Sequence, residues 1–161
     1  MKNQQYSFDF IVYDSIDDLN LKDAELLRKA REATNHAYAP YSNFFVGAAA
    51  RLKDGTIVTG SNQENASFPV GLCAERVLLS SVSSQYPSVA IESIAISYDN
   101  RNGESNKPVS PCGVCRQSLL EYEQRQHQPI HLILSGIEGE VYVIEKASML
   151  LPLSFKREDI E

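Results

Sequence analysis

Cys73-Ala74-Glu75-Arg76 and, further along, Pro111-Cys112-Gly113-Val114-Cys115 are the stretches whose reading decides the fold. CAERVLLSSVSSQY from Cys73 has helical composition, and Cys112 to about Gln126 again reads as helix. Each cysteine segment therefore opens a helix, and the spacing predicts that three sulfurs converge where two helix N-termini meet. The positive helix ends stabilise thiolates, and Pro111 at the helix entrance gives up an N–H that the helix does not need. Cys112 and Cys115 share one face of a first turn, so they chelate from one side while Cys73 comes from the other. Thiolates in this number select zinc, and three protein ligands leave a fourth position open for water, the mark of a catalytic site. Glu75 lies in the same first turn as Cys73, placed to shuttle protons without being a ligand.

Outward from these helices the chain alternates between α and β. Asn20 followed by Asp23 reads as a helix cap, with Ala24, Leu27, Ala30 and Ala33 at helical spacing up to about His36. Pro40 stops that helix. Phe45 to Leu52 and Thr56 to Gly60 are strands joined by a turn at Asp54-Gly55. Ile91 to Tyr98 reads as a buried strand, and Asp99 to Ser110 as a loop. Ile130 to Leu134 and Glu140 to Ile144 are strands around the Gly136 to Gly139 turn. The expected fold class is α/β, a mixed five-stranded sheet flanked by helices. Tyr6, Phe8, Phe10 and Val12 alternate with their neighbours, which suits an N-terminal arm or an extra strand over residues 1–18, with one domain over 19–161.

Composition narrows the partners. The 161 residues carry 15 basic and 21 acidic side chains, a net charge of −6 that is the wrong sign for gripping a nucleic acid polymer. No apolar stretch approaches the roughly 20 residues needed to cross a bilayer, and no polybasic run would hold the chain on a membrane. The first twenty residues lack an uninterrupted apolar segment, and the odd count of three cysteines suits a reducing compartment, so the expected location is cytoplasmic.

Three thiolates around Zn²⁺ leave a formal charge of −1, which blunts the metal as a Lewis acid. Arg76 and Arg116 adjoin the ligand segments, and a guanidinium donating to sulfur would draw off that charge, with Arg76 favoured. A CxxC pair alone also fits a redox pair or half of a structural zinc site. The CAE segment shifts the balance, because a ligand, one residue, Glu and a later Pro-Cys-x-x-Cys form the zinc deaminase pattern. His36, His127 and His131, the other soft candidates, are not at paired spacing with a cysteine.

Taken together, AYAPYSNFFVGAA at 37–49, GSNQENAS at 60–67, CAER at 73–76, SPCGVCRQ at 110–117 and LLPLSF at 150–155 resemble the small three-cysteine class of cytidine deaminases, from about Ala24 to Ile160. The resemblance implies the three-layer α/β/α deaminase fold, one Zn²⁺ per chain and a homotetramer with sites at subunit boundaries. It implies that Asn62 and Glu64 hold ribose hydroxyls and that Phe44 packs on the pyrimidine face. It also implies that backbone groups at Ala74 and Cys112 orient the exocyclic amine and that Phe155 reaches a neighbour's site. Phe68 stands where the family often has a tyrosine, and Lys156-Arg157 where it commonly has small residues or proline. The expected activity is hydrolytic deamination of cytidine and 2′-deoxycytidine to uridine and 2′-deoxyuridine with release of ammonia, a pyrimidine salvage reaction. In it, hydroxide generated at zinc attacks C4 while Glu75 moves protons. The rival readings are deamination of another cytosine-bearing small molecule, such as a nucleoside antibiotic, and a non-enzymatic protein that uses zinc only for folding.

Overall fold

A computed structural model describes residues 1–160. Helix α1 (Leu21–Ala33) starts where the Asn20 side chain accepts from the Asp23 N–H at 3.0 Å. Its apolar stripe of Ala24, Leu26, Leu27, Ala30 and Ala33 is buried, and a short 3₁₀ turn at Thr34–His36 ends it. Strands β2 (Phe44–Leu52) and β3 (Ile57–Ser61) form a hairpin whose turn uses Gly55 at φ +89°, a left-handed conformation that favours glycine. Helix α2 (Ala74–Gln85), strand β4 (Ile91–Asn100), helix α3 (Gly113–Gln126) and strands β5 (His131–Ser135) and β6 (Val141–Ile144) complete the alternation.

With β1 (Ile11–Tyr13) included, the described residues form a sheet of six strands, not the five expected from the sequence, in the order β1-β6-β5-β4-β2-β3. The sixth is β1, which pairs antiparallel with Val141–Val143 and occupies the outer edge of β6. The alternating N-terminal pattern thus yields strand only over its last three residues, where an unpaired edge offers ladder partners. Upstream of it, Phe8 packs against the core, Phe10 lies 5.0 Å from the Tyr142 ring, and the Tyr6 hydroxyl donates to the Met149 carbonyl.

Only β4 and β5 run parallel, as the α3 crossover between them requires. Side chains alternate across the sheet, so Ala48, Ala50, Ile94, Ile96, Leu132 and Leu134 meet α2 and α3, whereas Ala49, Ala95 and Ile133 meet α1. The result is three layers, α/β/α. Two glycines set the layer spacing: a Cβ on Gly47 would stand 2.1 Å from the Ala30 carbonyl oxygen of α1, and one on Gly60 would stand 2.5 Å from the Leu78 nitrogen of α2.

The far end of α3 is tied down by a buried carboxylate. Glu123, 8% exposed, accepts from the N–H groups of Ile130 (2.7 Å), Ala147 (2.9 Å) and Ser148 (3.2 Å). It links the helix to the start of β5 and to the 3₁₀ turn after β6. Glu123→Ala leaves buried donors short of acceptors and costs about 3 kcal/mol of stability. Urea unfolding checks this, and a loss below about 0.5 kcal/mol would show that water replaces the carboxylate without penalty.

Candidate active site

The two cysteine segments meet because both helices begin at the same end of the sheet. Cys73 is the N-cap of α2 and Cys112 the N-cap of α3, and neither side chain is spent on capping. Both sulfurs are therefore free to face each other, with Cys73 Sγ 3.8 Å from Cys112 Sγ and Cys112 Sγ 3.5 Å from Cys115 Sγ. All three sulfurs lie within 4.8 Å of one another. The corners of a zinc–thiolate tetrahedron with Zn–S bonds of about 2.3 Å are about 3.8 Å apart, so the spacing and the soft donor set fit a single zinc ion. Cys112 is exposed, Cys73 half-buried and Cys115 fully buried, so the trio is open on one side.

The charge on the sulfurs is unequal. A hydrogen bond with Cys115, aided by Cys112 and by the charge of Arg76, draws the Cys73 thiol down to about 6, whereas the same contact and burial push Cys115 up. Arg116 is directed elsewhere. Its guanidinium donates to the carbonyls of Pro111 (2.7 Å) and Leu150 (3.0 Å), tying the C-terminal segment to the cysteine turn rather than reaching a sulfur.

A cavity of about 410 Å³ opens in front of the sulfurs, within the range of small-molecule sites. Cys73, Ala74, Glu75 and Cys112 form its floor. Glu75 is 5% exposed, and burial raises its carboxyl above the ordinary range. Phe44 forms a wall and stacks on Tyr98 at 4.8 Å with 15° between the rings. Tyr98 is a residue that sequence reasoning missed: it sits inside a strand whose apolar run made it look like ordinary core.

Asn62 and Glu64 line the same cavity. Asn62 accepts from Val46 N–H at 2.7 Å and donates to the Phe44 carbonyl at 2.9 Å, so it fixes the backbone that carries the stacking ring and keeps one amide hydrogen to give. Glu64 Oε2 accepts from the N–H groups of Tyr41 (2.8 Å) and Ser42 (3.3 Å). The Ser42 hydroxyl and these N–H groups hold the Glu64 carboxyl below its usual value, so it is a carboxylate at neutral pH. Phe68 lies at the rim, edge-on to Tyr41 at 5.8 Å. Phe155, 62% exposed, is not among the residues lining its own chain's cavity, and its carbonyl accepts from Gln117.

The family model for the cytidine and deoxycytidylate deaminase zinc-binding region matches residues 21–128. A cytidine deaminase of Halalkalibacterium halodurans is 37% identical over 84% of this chain and 95% of that protein. The crystal structure of cytidine deaminase from Burkholderia pseudomallei superimposes with a TM-score of 0.70 at 36% identity, covering 81% of this chain and 97% of that one. That of the Mycobacterium tuberculosis enzyme gives 0.65 at 31% identity, over 85% and 99%. Helix-capping cysteines around a zinc-sized gap, a buried glutamate beside them and this agreement along most of the chain lead to one assignment: the chain belongs to the zinc-binding cytidine and deoxycytidylate deaminase family.

Proposed function

We propose that the protein deaminates cytidine and 2′-deoxycytidine to uridine and 2′-deoxyuridine, adding water at C4 of the pyrimidine and releasing ammonia. The observation that carries this reading is buried Glu75 lining the same cavity as Cys73 and Cys112, two of the three convergent sulfurs. Cys73, Cys112 and Cys115 would hold a zinc ion, which would supply the Lewis acidity that makes water a competent nucleophile near neutral pH. Glu75 takes one proton from the attacking water and delivers it to ring N3, then takes the second from the new C4 hydroxyl and gives it to the amine as the C4–N bond breaks and ammonia leaves. Its burial favours the neutral form, which matches a group that must hold a proton between two transfers. The stacked Phe44 and Tyr98 rings offer a flat face to the pyrimidine, and Ala74 and Cys112, which line the same cavity, would orient the exocyclic amine through their backbone groups. The spare amide hydrogen of Asn62 and the Glu64 carboxylate, which has lone pairs beyond those the Tyr41 and Ser42 N–H groups use, suit sugar hydroxyls. Arg76, whose charge acts on Cys73, offsets the excess negative charge of three thiolates.

The lining also argues for a nucleoside over a nucleotide. Among the described residues no Lys, Arg or His lines the cavity, and the Glu64 carboxylate would repel a 5′-phosphate. Ultraviolet absorbance of zinc-quantified protein mixed separately with cytidine, deoxycytidine, cytosine and CMP tests this. Turnover of the two nucleosides alone is expected, whereas comparable turnover of free cytosine would remove the sugar-reading role of Asn62 and Glu64.

The proposed working form is a homotetramer of the 19–161 domain, in which Phe155, exposed in the single chain, closes a neighbour's cavity. Exposed Tyr41, Phe68 and Leu72, which line the cavity, support an apolar contact there. No helix among the described residues is long and apolar enough to cross a membrane, and the three free cysteines suit the cytoplasm.

A further inference from the structure

The Asp99–Ser110 segment looks like a plain connection, yet it braces the cavity at both ends. Its C-terminal half leads through Val109 and Ser110, which line the cavity, into the Pro111-Cys112 turn. Its middle is pinned from below. A Cβ on Gly136 would lie 1.8 Å from the Ser105 carbonyl oxygen, and one on Gly139 would lie 2.1 Å from that of Asn106. The β5–β6 turn therefore carries the loop in direct backbone contact. Arg31 of α1 fixes that turn in place by donating to the Gly136 carbonyl (3.0 Å) and to Ser135 Oγ (3.2 Å). Above this anchor, Ser105 Oγ accepts from the Asn100 N–H at 2.8 Å, and Asn100 Oδ1 accepts from the Asn102 N–H at 3.1 Å.

Asn102 is where the brace meets the substrate side. Its Nδ2 donates to the Ser42 carbonyl at 3.1 Å, its Oδ1 accepts from Asn43 Nδ2 at 3.4 Å, and the neighbouring Arg101 N–H donates to the Asn43 carbonyl at 3.0 Å. The Tyr41–Asn43 turn needs such support. Its three residues are exposed and outside the strands, and Asn43 sits at φ +53°, in the left-handed region that a side-chain-bearing residue adopts at some cost. This same turn supplies the two N–H groups that hold Glu64 Oε2.

We propose that Asn102 is a positioning residue for nucleoside binding: by clamping Ser42 it sets the two N–H groups that aim the Glu64 carboxylate into the cavity. The proposal rests on the reading of Glu64 as an acceptor of sugar hydroxyls. It assigns to an exposed loop residue, remote from the sulfurs, an effect on ground-state binding and none on proton transfer at Glu75.

The test measures kcat and KM for cytidine, zinc content and melting temperature for Asn102→Ala, Asn102→Asp, Glu64→Ala and the Asn102→Ala/Glu64→Ala double variant. Asn102→Ala is expected to raise KM about fivefold, the scale of one exposed hydrogen bond, with kcat and zinc unchanged. Asn102→Asp loses the same donor and places an anion beside Ser42, so its KM rises at least as far. The double variant should match Glu64→Ala, because the clamp has nothing left to aim. An unchanged KM in either single Asn102 variant, or losses that multiply in the double variant, would overturn the role of Asn102 alone. A normal KM for Glu64→Ala would overturn the sugar reading and this proposal with it. A fall in kcat at constant KM in Asn102→Ala would place its effect on the chemical step and refute the clamp.

Discussion

Glu75→Gln retains one zinc per chain and loses about a thousandfold in kcat, the scale of a general acid–base group. The substitution is nearly isosteric, and Glu75 occupies the second residue of α2 with its carboxyl 5% exposed. The amide therefore fits the same space and removes a buried carboxyl that must hold and release protons. It removes no sulfur, so metal content measured by mass spectrometry should match the parent protein. KM for cytidine should stay within a few fold, because the sugar contacts proposed for Asn62 and Glu64 do not use the Glu75 side chain. Activity within tenfold of the parent would remove Glu75 from the proton path and leave the buried carboxyl without a role.

Cys115→Ser abolishes turnover by emptying the site. Cys115 is the most deeply buried of the three sulfurs, on the third residue of α3, and a serine hydroxyl there stays protonated and makes a poor zinc ligand. Zinc binding requires deprotonated donors and stabilises only the folded chain, so losing one ligand also removes a stabilising linkage. Chelator is thus expected to lower the melting temperature of the parent protein and to leave that of Cys115→Ser unchanged. Full zinc occupancy and activity in the variant would mean that two cysteines suffice and that the third is packing.

Much of this site is readable along the chain because its parts are local. Cys73 and Glu75 share one helical turn, and Cys112 and Cys115 another, so the N-cap and first-turn positions follow from helix geometry once the helices are recognised. Glu64 resisted the same reading. It lies between strands, and its state depends on N–H groups from Tyr41 and Ser42, more than twenty residues earlier in the chain. Arg116 shows the opposite failure. Its adjacency to Cys115 suggested a sulfur partner, but the C-terminal segment brings the Leu150 carbonyl within 3.0 Å and captures the guanidinium.

The N-terminal pattern divides in the same way. Alternation from Tyr6 to Tyr13 is visible in the sequence, but strand pairing needs a partner edge, and β6 presents one only after the β5–β6 hairpin has formed more than a hundred residues later. The sequence by itself determined which segments become helices, which strands are buried, and that the sulfurs sit at helix starts, because these depend on spacing within a few residues. The tertiary structure alone decided the distances between the converging sulfurs, the pairing of the sixth strand, the Phe44–Tyr98 stack and the Asn102–Ser42 hydrogen bond. Each of these is a contact between distant segments, whose geometry exists only once the layers have packed.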